Sequence, residues 1–135
     1  MKKNKKWIPT PEFVLQVFLE LGKISECSDI ESAICRDVAG IVGVLDKISY
    51  GWPGTQNPSL EECAATLIHD LVVYHYFSDG NKRIGFIMLL IFLEKNGYSI
   101  NATEDEKVEF TLAIAQDLPT FEEIQKWITD HWEEK

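Results

Sequence analysis

Apolar side chains recur at helical spacing on both sides of a short polar turn in the middle of the chain. They are Leu60, Ala64, Leu67, Ile68, Leu71 and Val72 before the turn, and Ile84, Ile87, Met88, Ile91 and Phe92 after it. Steps of three and four residues place side chains on one face of an α-helix. The pattern therefore predicts two buried helices joined by the turn at residues 75–83.

Helix-start signals divide the rest of the chain into similar segments. Four S/T-x-x-E pairs stand at the start of apolar-periodic stretches, as capping boxes do: Ser28/Glu31, Ser59/Glu62, Thr103/Glu106 and Thr120/Glu123. Thr10 followed by proline is a fifth start, and Asn81 heads a sixth helix that Gly97 closes. These signals predict an all-α fold, a compact bundle of about six helices. A short β-hairpin flap is a further expectation, at residues 49–58 or 98–100.

Composition and charge limit the organisation and the partners. With 135 residues and 45% hydrophobic content, we expect a single domain over residues 9–135 after a flexible basic tail over residues 1–8. The net charge of −9 disfavours nucleic acid as a partner. No apolar run reaches the roughly 18 residues of a membrane span, and no signal-peptide pattern follows the basic start. The three cysteines lack C-x-x-C spacing, which favours a cytoplasmic protein without a disulfide framework.

The loop at residues 49–58 is dense in turn-forming residues and carries two aromatic side chains. Tyr50, Gly51 and Trp52 lie at its start. Two interpretations stand: a functional loop that uses its aromatic residues to bind a partner, or a surface connection whose tryptophan packs back on the body.

The turn at 75–83 combines residue types that handle phosphates. Unpaired N–H groups and the positive end of the dipole at the start of the second helix suit an anion, together with the Asn81 amide, Lys82 and Arg83. Asp79 stands just before this cradle, where a carboxylate can hold Mg²⁺ that bridges the phosphates of ATP. His75 can take the proton of an attacking hydroxyl as a general base.

Two small features of the turn fit the same chemistry. Gly80 permits a backbone conformation that other residues avoid and lets a phosphate approach closely. Phe77 is expected to turn inward and pin the loop to the core. Taken singly, each polar residue could be a cap or a solvated side chain. Lys82 and Arg83 together oppose the dipole at a helix start, however, so a purely structural loop has no reason to use both.

These residues resemble the Fic/Doc superfamily, whose signature is H-x-F-x-D/E-G/A-N-G/K-R. His75, Phe77, Asp79, Gly80, Asn81, Lys82 and Arg83 match it. Residues 28–34, the Tyr50-Gly51 loop and residues 92–97 are also similar to the Doc branch. The resemblance implies a compact helical fold, with His75 as general base, Asp79 as Mg²⁺ ligand, and Phe77, Gly80, Asn81, Lys82 and Arg83 around the nucleotide.

The resemblance further implies modification of a protein hydroxyl. The G-N-K-R form is similar to Doc toxins, which phosphorylate elongation factor Tu with ATP and Mg²⁺. Fic proteins that transfer AMP usually have glycine in place of Lys82 and a second arginine in place of Phe86. By the same resemblance, an antitoxin restrains the enzyme in trans, because no S/T-x-x-x-E-G/N inhibitory run is found. A target segment is expected to add a strand to the loop at Tyr50, Gly51 and Trp52.

Two rival functions remain. The pair His69-Asp70 suggests a metal phosphohydrolase of the HD type. That site needs another histidine upstream, and no histidine precedes His69. A catalytically silent module that keeps the fold and binds a nucleotide or a partner is the rival from another class. The presence of both His75 and Asp79 argues against it.

Overall fold

Helices connected by short loops make up most of the chain that the structure describes. The computed structural model describes residues 6–24 and 34–135. Within these ranges the helices are α1 (Pro11–Ile24), α2 (Val38–Tyr50), α3 (Leu60–Val73), α4 (Asn81–Lys95), α5 (Glu104–Ala115) and α6 (Phe121–His131). The predicted all-α class and the count of six helices are confirmed for the described residues.

Two short antiparallel strand pairs accompany the helices. Strands β1 (Gly51–Trp52) and β2 (Thr55–Gln56) form a hairpin between α2 and α3, with Trp52 opposite Thr55. Strand β3 (Tyr98–Ile100) follows α4 and pairs with β4 (Trp132–Glu134), with Ile100 opposite Trp132. The expected hairpin is therefore present at the first of the two predicted places, and the second place pairs with a strand distant in sequence.

Side-chain caps explain where the helices begin. Ser59, Thr103 and Thr120 each accept a hydrogen bond from the glutamate N–H three residues later, and that glutamate side chain accepts from the cap N–H. Three of the four predicted capping boxes are thereby confirmed, while Ser28/Glu31 lies outside the described residues. Helix α2 begins instead after Asp37, whose carboxylate accepts from the Gly40 N–H at 2.8 Å.

Helix α3 forms the centre of the core and packs against α2, α4, α5 and α6. Its buried residues lie on nearly all of its faces, as expected for a helix surrounded by protein: Cys63, Ala64, Ala65, Thr66, Leu67, Ile68, Asp70, Leu71 and Val72. Gly85 on α4 faces it, and a Cβ at that position would lie 2.5 Å from Val72 Cγ2. The absence of a side chain at Gly85 therefore lets α3 and α4 approach closely, and both meet the turn at 75–83.

The residues before α1 are attached to the far end of α4. The Trp7 N–H donates to Asn96 Oδ1 at 2.8 Å, and Asn96 Nδ2 donates to the Trp7 carbonyl at 3.0 Å. The Trp7 ring also meets Phe13 edge-on at 5.3 Å. Trp7, in the predicted tail over residues 1–8, therefore contacts the body, and the flexibility of that tail stays a prediction. Among the helices described, none has the length and apolar character needed to cross a bilayer.

Candidate active site

The turn between α3 and α4 is held by its aromatic residue. Phe77 has no exposed surface, and its ring stacks on Phe18 of α1 at a centroid distance of 4.1 Å. The predicted inward orientation of Phe77 is confirmed. Its predicted membership of the nucleotide-binding set needs correction, because a fully buried ring fixes the loop and offers no surface to a ligand.

Two residues of the turn adopt left-handed backbone conformations. Gly80, the N-cap of α4, has φ 79°, which glycine accepts without strain. His75 has φ 53°, a conformation that costs a residue with a Cβ about 1–2 kcal/mol. Strain of this kind is found at functional sites, where the surrounding structure holds a side chain in a required direction.

The side chain of Asn81 closes the turn. The Phe77 N–H donates to Asn81 Oδ1 at 3.1 Å, and Asn81 Nδ2 donates to the Phe77 carbonyl at 2.9 Å. Asn81 is buried, with 7% of its surface exposed. Asn81 also lines the cavity described below, and the expectation that its amide meets a phosphate stays a prediction.

A segment distant in sequence supports the other side of the turn, and no local pattern predicted this contact. The backbone of Cys35 pairs with that of Phe77 as an isolated antiparallel bridge. The Ser78 N–H donates to the Ile34 carbonyl at 2.8 Å, and the Ile34 N–H donates to Ser78 Oγ at 2.8 Å. We call residues 34–36 and 76–78 together the seam. The seam fixes the backbone that leads from His75 to Asp79.

The polar residues of the turn open into one cavity of about 930 Å³. The turn and the start of α4 contribute His75, Ser78, Asp79, Gly80, Asn81, Lys82 and Arg83. The facing wall comes from α5 and consists of Glu104, Lys107, Val108, Thr111, Leu112 and Ala115. Sequence reasoning did not find the α5 wall, although its residues recur at steps of three and four. The predicted catalytic, metal and phosphate-binding positions therefore share one hollow.

Charge in the cavity is concentrated at the start of α4. Gly80 offers no side chain to cap the helix, so the first-turn N–H groups lack a side-chain cap. Lys82 and Arg83 are exposed in this first turn. A helix N-terminus with added cations is an anion site. Asp79 stands at its edge, with Oδ1 accepting from the Gly80 N–H at 2.7 Å.

The imidazole of His75 lies beside this anion site and is exposed to the cavity. Its Nδ1 is 3.4 Å from Asn81 Nδ2. Hydrogen bonds from an N–H are ordinarily about 2.7–3.2 Å long, so this contact is too long to fix the tautomer of the ring. The ring therefore lies within reach of a hydroxyl placed in the cavity, which is the geometric requirement for a general base.

The residues present suit ATP and Mg²⁺. The helix start and its two cations match a chain of phosphates, and the apolar side chains of Phe86, Val108 and Leu112 offer a surface to an aromatic base. In the described part of the chain there is no group of three or more His, Cys, Asp or Glu side chains arranged for a metal. A single carboxylate such as Asp79 suits Mg²⁺, because that ion is usually held by one or two carboxylates and substrate phosphates.

The hairpin at residues 51–56 lies away from the cavity. It precedes α3, whereas the cavity lies at the other end of that 14-residue helix, which is about 20 Å long. Trp52 packs edge-on against Phe121 at 6.0 Å, and Tyr50 is 78% exposed. The structure therefore does not bring the predicted docking residues Tyr50, Gly51 and Trp52 to the cavity. The alternative interpretation, a loop whose tryptophan packs on the body, fits the contacts.

The His69-Asp70 pair serves the packing of α3. Asp70 is buried and accepts from Lys47 Nζ at 2.8 Å, and its other oxygen lies 2.8 Å from His69 Nδ1. His69 Nε2 lies 3.3 Å from Asp117 Oδ1, in the turn after α5. The hydrogen bond that His69 donates to the Asp70 carboxylate raises the pKa of His69 against the opposing effect of burial. The two side chains therefore link α2 and the turn after α5 to α3.

The comparison with protein families agrees with this site. The family model described as "Fic/DOC family" matches residues 16–93, more than half of the chain and the whole turn at 75–83. A search of curated proteins finds no match. Members of the family are in general transferases that modify proteins. With the match covering α2, α3, the turn, nearly all of α4 and more than half of α1, the chain belongs to the Fic/DOC family.

Proposed function

We propose that this protein transfers a phosphate from ATP to a hydroxyl of a target protein in the cytoplasm, as Doc toxins do. The observation that carries the proposal is the shared cavity of His75, Asp79, Lys82 and Arg83 at the start of α4. A proton acceptor, a metal-binding carboxylate and two cations suffice for phosphoryl transfer, which depends mainly on positioning and charge.

The nucleotide would lie across the cavity from its charged end to its apolar wall. Backbone N–H groups of the first turn of α4, Lys82 and Arg83 would bind the phosphates. Val108 and Leu112, which are 54% and 43% exposed, would cover the adenine. When bound at Asp79, Mg²⁺ would neutralise charge on the phosphates. The apolar wall supports a nucleotide over inorganic phosphate as the ligand.

The target hydroxyl would enter between His75 and the phosphates. His75 would accept its proton as the oxygen attacks phosphorus. Asn81 acts on this step only indirectly, because its amide holds the Phe77 backbone. The seam holds the same stretch from the opposite side, so the turn is rigid where the reacting groups must be aligned.

Two residues favour phosphate transfer over AMP transfer. Lys82 adds a positive charge where AMP-transferring relatives have glycine. Phe86 lines the cavity and is uncharged where those relatives carry a second arginine. A cavity without that arginine lacks one clamp on the distal phosphates, which supports the inverted placement of ATP associated with the Doc branch. AMP transfer is the alternative that the experiment below must exclude.

The deciding experiment uses ATP labelled at two places. The purified full chain is incubated with Mg²⁺, elongation factor Tu, and ATP labelled either at the γ-phosphate or in the adenine. Phosphate transfer predicts that only the γ label reaches the target. Adenine label on the target would establish AMP transfer. Bound nucleotide with neither label transferred, to elongation factor Tu or to cell-extract proteins, would favour the catalytically silent module.

The same proposal includes a toxin role with restraint in trans. The sequence contains no S/T-x-x-x-E-G/N inhibitory run, so an antitoxin whose segment occupies the nucleotide cavity is the expected regulator. Expression of the wild-type chain in a bacterial host should arrest growth, and expression of the His75→Ala variant should not. Equal growth of the two cultures, at equal protein levels, would contradict the toxin role.

A further inference from the structure

A second cavity lies on the side of α5 that faces away from the candidate active site. It has a volume of about 530 Å³ and runs between α5 and α6. Its lining residues are Glu106, Glu109, Phe110, Ala113, Leu118, Pro119, Glu123, Trp127 and His131. We call it the α5–α6 groove. It shares no lining residue with the candidate active site.

Stacked rings form the floor of the α5–α6 groove. Phe110 and Trp127 stack at a centroid distance of 3.9 Å with an angle of 5° between their planes. His131 stacks on Trp127 at 4.0 Å. Leu118 is 69% exposed at the same groove. Phe110 and His131 cover the two faces of the Trp127 ring, so a ligand in the groove would meet ring edges and the exposed Leu118 side chain.

Carboxylates stand around these rings. Glu106 and Glu123 each cap a helix through one oxygen, and Glu106 Oε2 lies 3.5 Å from His131 Nε2. Glu109 is exposed on α5 and has no ion pair among the described residues. Residues 101–135 contain ten Asp and Glu against three Lys, although the whole chain has 22 against 13. The groove therefore lies in the most acidic part of the protein.

We infer that the α5–α6 groove docks a basic amphipathic segment of a partner protein. An arginine of that segment pairs with the Glu109 carboxylate beside the ring stack, and an apolar side chain packs on Leu118. Charge complementarity selects this occupant, because an acidic rim repels nucleic acid and anionic membranes. The inference does not depend on the proposed function, since the groove and the candidate active site are separate.

A synthetic helix provides a direct test of the inference. The probe is an amphipathic peptide of roughly four helical turns with arginine on one face and leucine on the other. Its affinity for the full chain is measured by calorimetry, and the Trp127 indole signal is followed by NMR, assigned with the Trp127→Phe variant. We expect the Trp127 signal to shift. We also expect a peptide with glutamate in place of arginine to leave it unchanged.

Two pairs of exposed substitutions locate the binding surface. Glu109→Lys reverses a charge in the groove, while Asp46→Lys makes the same reversal on α2, where no ion pair is described. We expect Glu109→Lys to weaken peptide binding by roughly fivefold or more at low salt, and Asp46→Lys to leave it nearly unchanged. Leu118→Ser should likewise weaken binding, and Leu19→Ser on α1, which is 56% exposed, should not.

Three results would overturn the inference. The first is equal binding of the arginine and glutamate peptides. The second is equal affinity of the Glu109→Lys and Asp46→Lys variants for the arginine peptide. The third is self-association of the chain that Leu118→Ser abolishes, measured by sedimentation, because the occupant would then be a second copy.

Discussion

Asn81 is bound at both ends of its side-chain amide to the backbone of Phe77, through hydrogen bonds of 3.1 and 2.9 Å. This pair of bonds fixes the four-residue stretch that contains Asp79 and Gly80. Asparagine suits the position because its amide offers one acceptor and two donors on a short stem. The contribution of Asn81 to the candidate active site is therefore the shape of the loop.

Replacing Asn81 by alanine should destabilise the protein and weaken nucleotide binding together. Asn81→Ala leaves the buried Phe77 N–H without its partner and leaves the Phe77 carbonyl with only Arg36 as a side-chain donor, which costs about 1–3 kcal/mol of unfolding free energy. Asn96→Ala is the matched control, because Asn96 binds the Trp7 backbone at the other end of α4. Urea unfolding should show a loss in both variants, and ATP titration should show weaker binding only for Asn81→Ala. Equal ATP affinity in the two variants would contradict the role of Asn81.

Removing the imidazole should separate chemistry from binding. His75→Ala should lower the rate of label transfer by roughly 10²–10⁴-fold, the usual contribution of a general base. The dissociation constant for ATP should stay nearly constant. Asp79→Ala should instead weaken the Mg²⁺-dependent binding of ATP. Transfer by His75→Ala at the wild-type rate would show that another group accepts the proton.

The position after Asn81 tests which part of the nucleotide is transferred. Lys82 is exposed in the first turn of α4 and lines the cavity. Lys82→Gly removes its charge and restores the residue that is usual in AMP-transferring relatives. We expect γ label on the target to fall and adenine label to appear in the double-label assay. Loss of all transfer, with no gain of adenine label, would mean that Lys82 contributes charge without setting the orientation of ATP.

The contact between α3 and α4 should not tolerate an added methyl group. In Gly85→Ala the new Cβ would lie 2.5 Å from Val72 Cγ2, and overpacking of this kind costs about 1–3 kcal/mol. The higher helix propensity of alanine returns about 1 kcal/mol. Gly43→Ala is the control, because nothing lies within 4 Å of its Cβ, and it should be neutral or stabilising.

A double variant identifies the cause of that loss. Val72→Ala removes the methyl group that the new Cβ would strike. The unfolding free energy of the Gly85→Ala, Val72→Ala double variant should therefore exceed the value expected from adding the two single losses. Strictly additive losses would show that the Val72 contact is not the reason for glycine at position 85.

The raised pKa of His69 predicts a stability contribution that depends on pH. Asp70 and Asp117 face its two ring nitrogens, Lys47 binds the far oxygen of Asp70, and the Tyr74 ring lies edge-on at 5.8 Å. Because the folded-state pKa is raised, protonated His69 stabilises the fold fully below the unfolded value of about 6.5. That contribution is lost as the pH rises through the folded-state pKa.

A His69→Gln variant measures this contribution. The difference in unfolding free energy between wild type and variant should be largest near pH 5.5 to 6 and should shrink as the solution becomes alkaline. Thermal or urea unfolding across that range checks the sign. A difference that is constant with pH, or that grows as the pH rises, would contradict the protonated state.

Local signals explain why much of the fold could be predicted from the sequence. A capping box such as Ser59/Glu62 is complete within four residues, so its meaning does not depend on the rest of the chain. The same holds for the apolar spacing of α3 and for the inward turn of Phe77. The signature at 75–83 is also contiguous. Its charged residues share one cavity because a single turn carries them all.

The remaining features depend on how distant segments meet. Nothing near Ser78 indicates that its backbone bonds to Ile34, and nothing in residues 104–115 indicates that they face the turn. The hairpin lies where it was predicted, but its aromatic residues suggested binding, and the 14 residues of α3 separate it from the turn at 75–83. Contacts of this kind follow from the path of the chain and not from local composition.

The seam is a second place at which the turn at 75–83 can be disturbed. Residues 34–36 are not among those that line the cavity, yet the Cys35 backbone pairs with Phe77, which lies between His75 and Asp79 in the chain. A small molecule that separates residues 34–36 from residues 76–78 would disturb the turn at 75–83 without entering the cavity. Such a compound would not have to displace a ligand from the candidate active site.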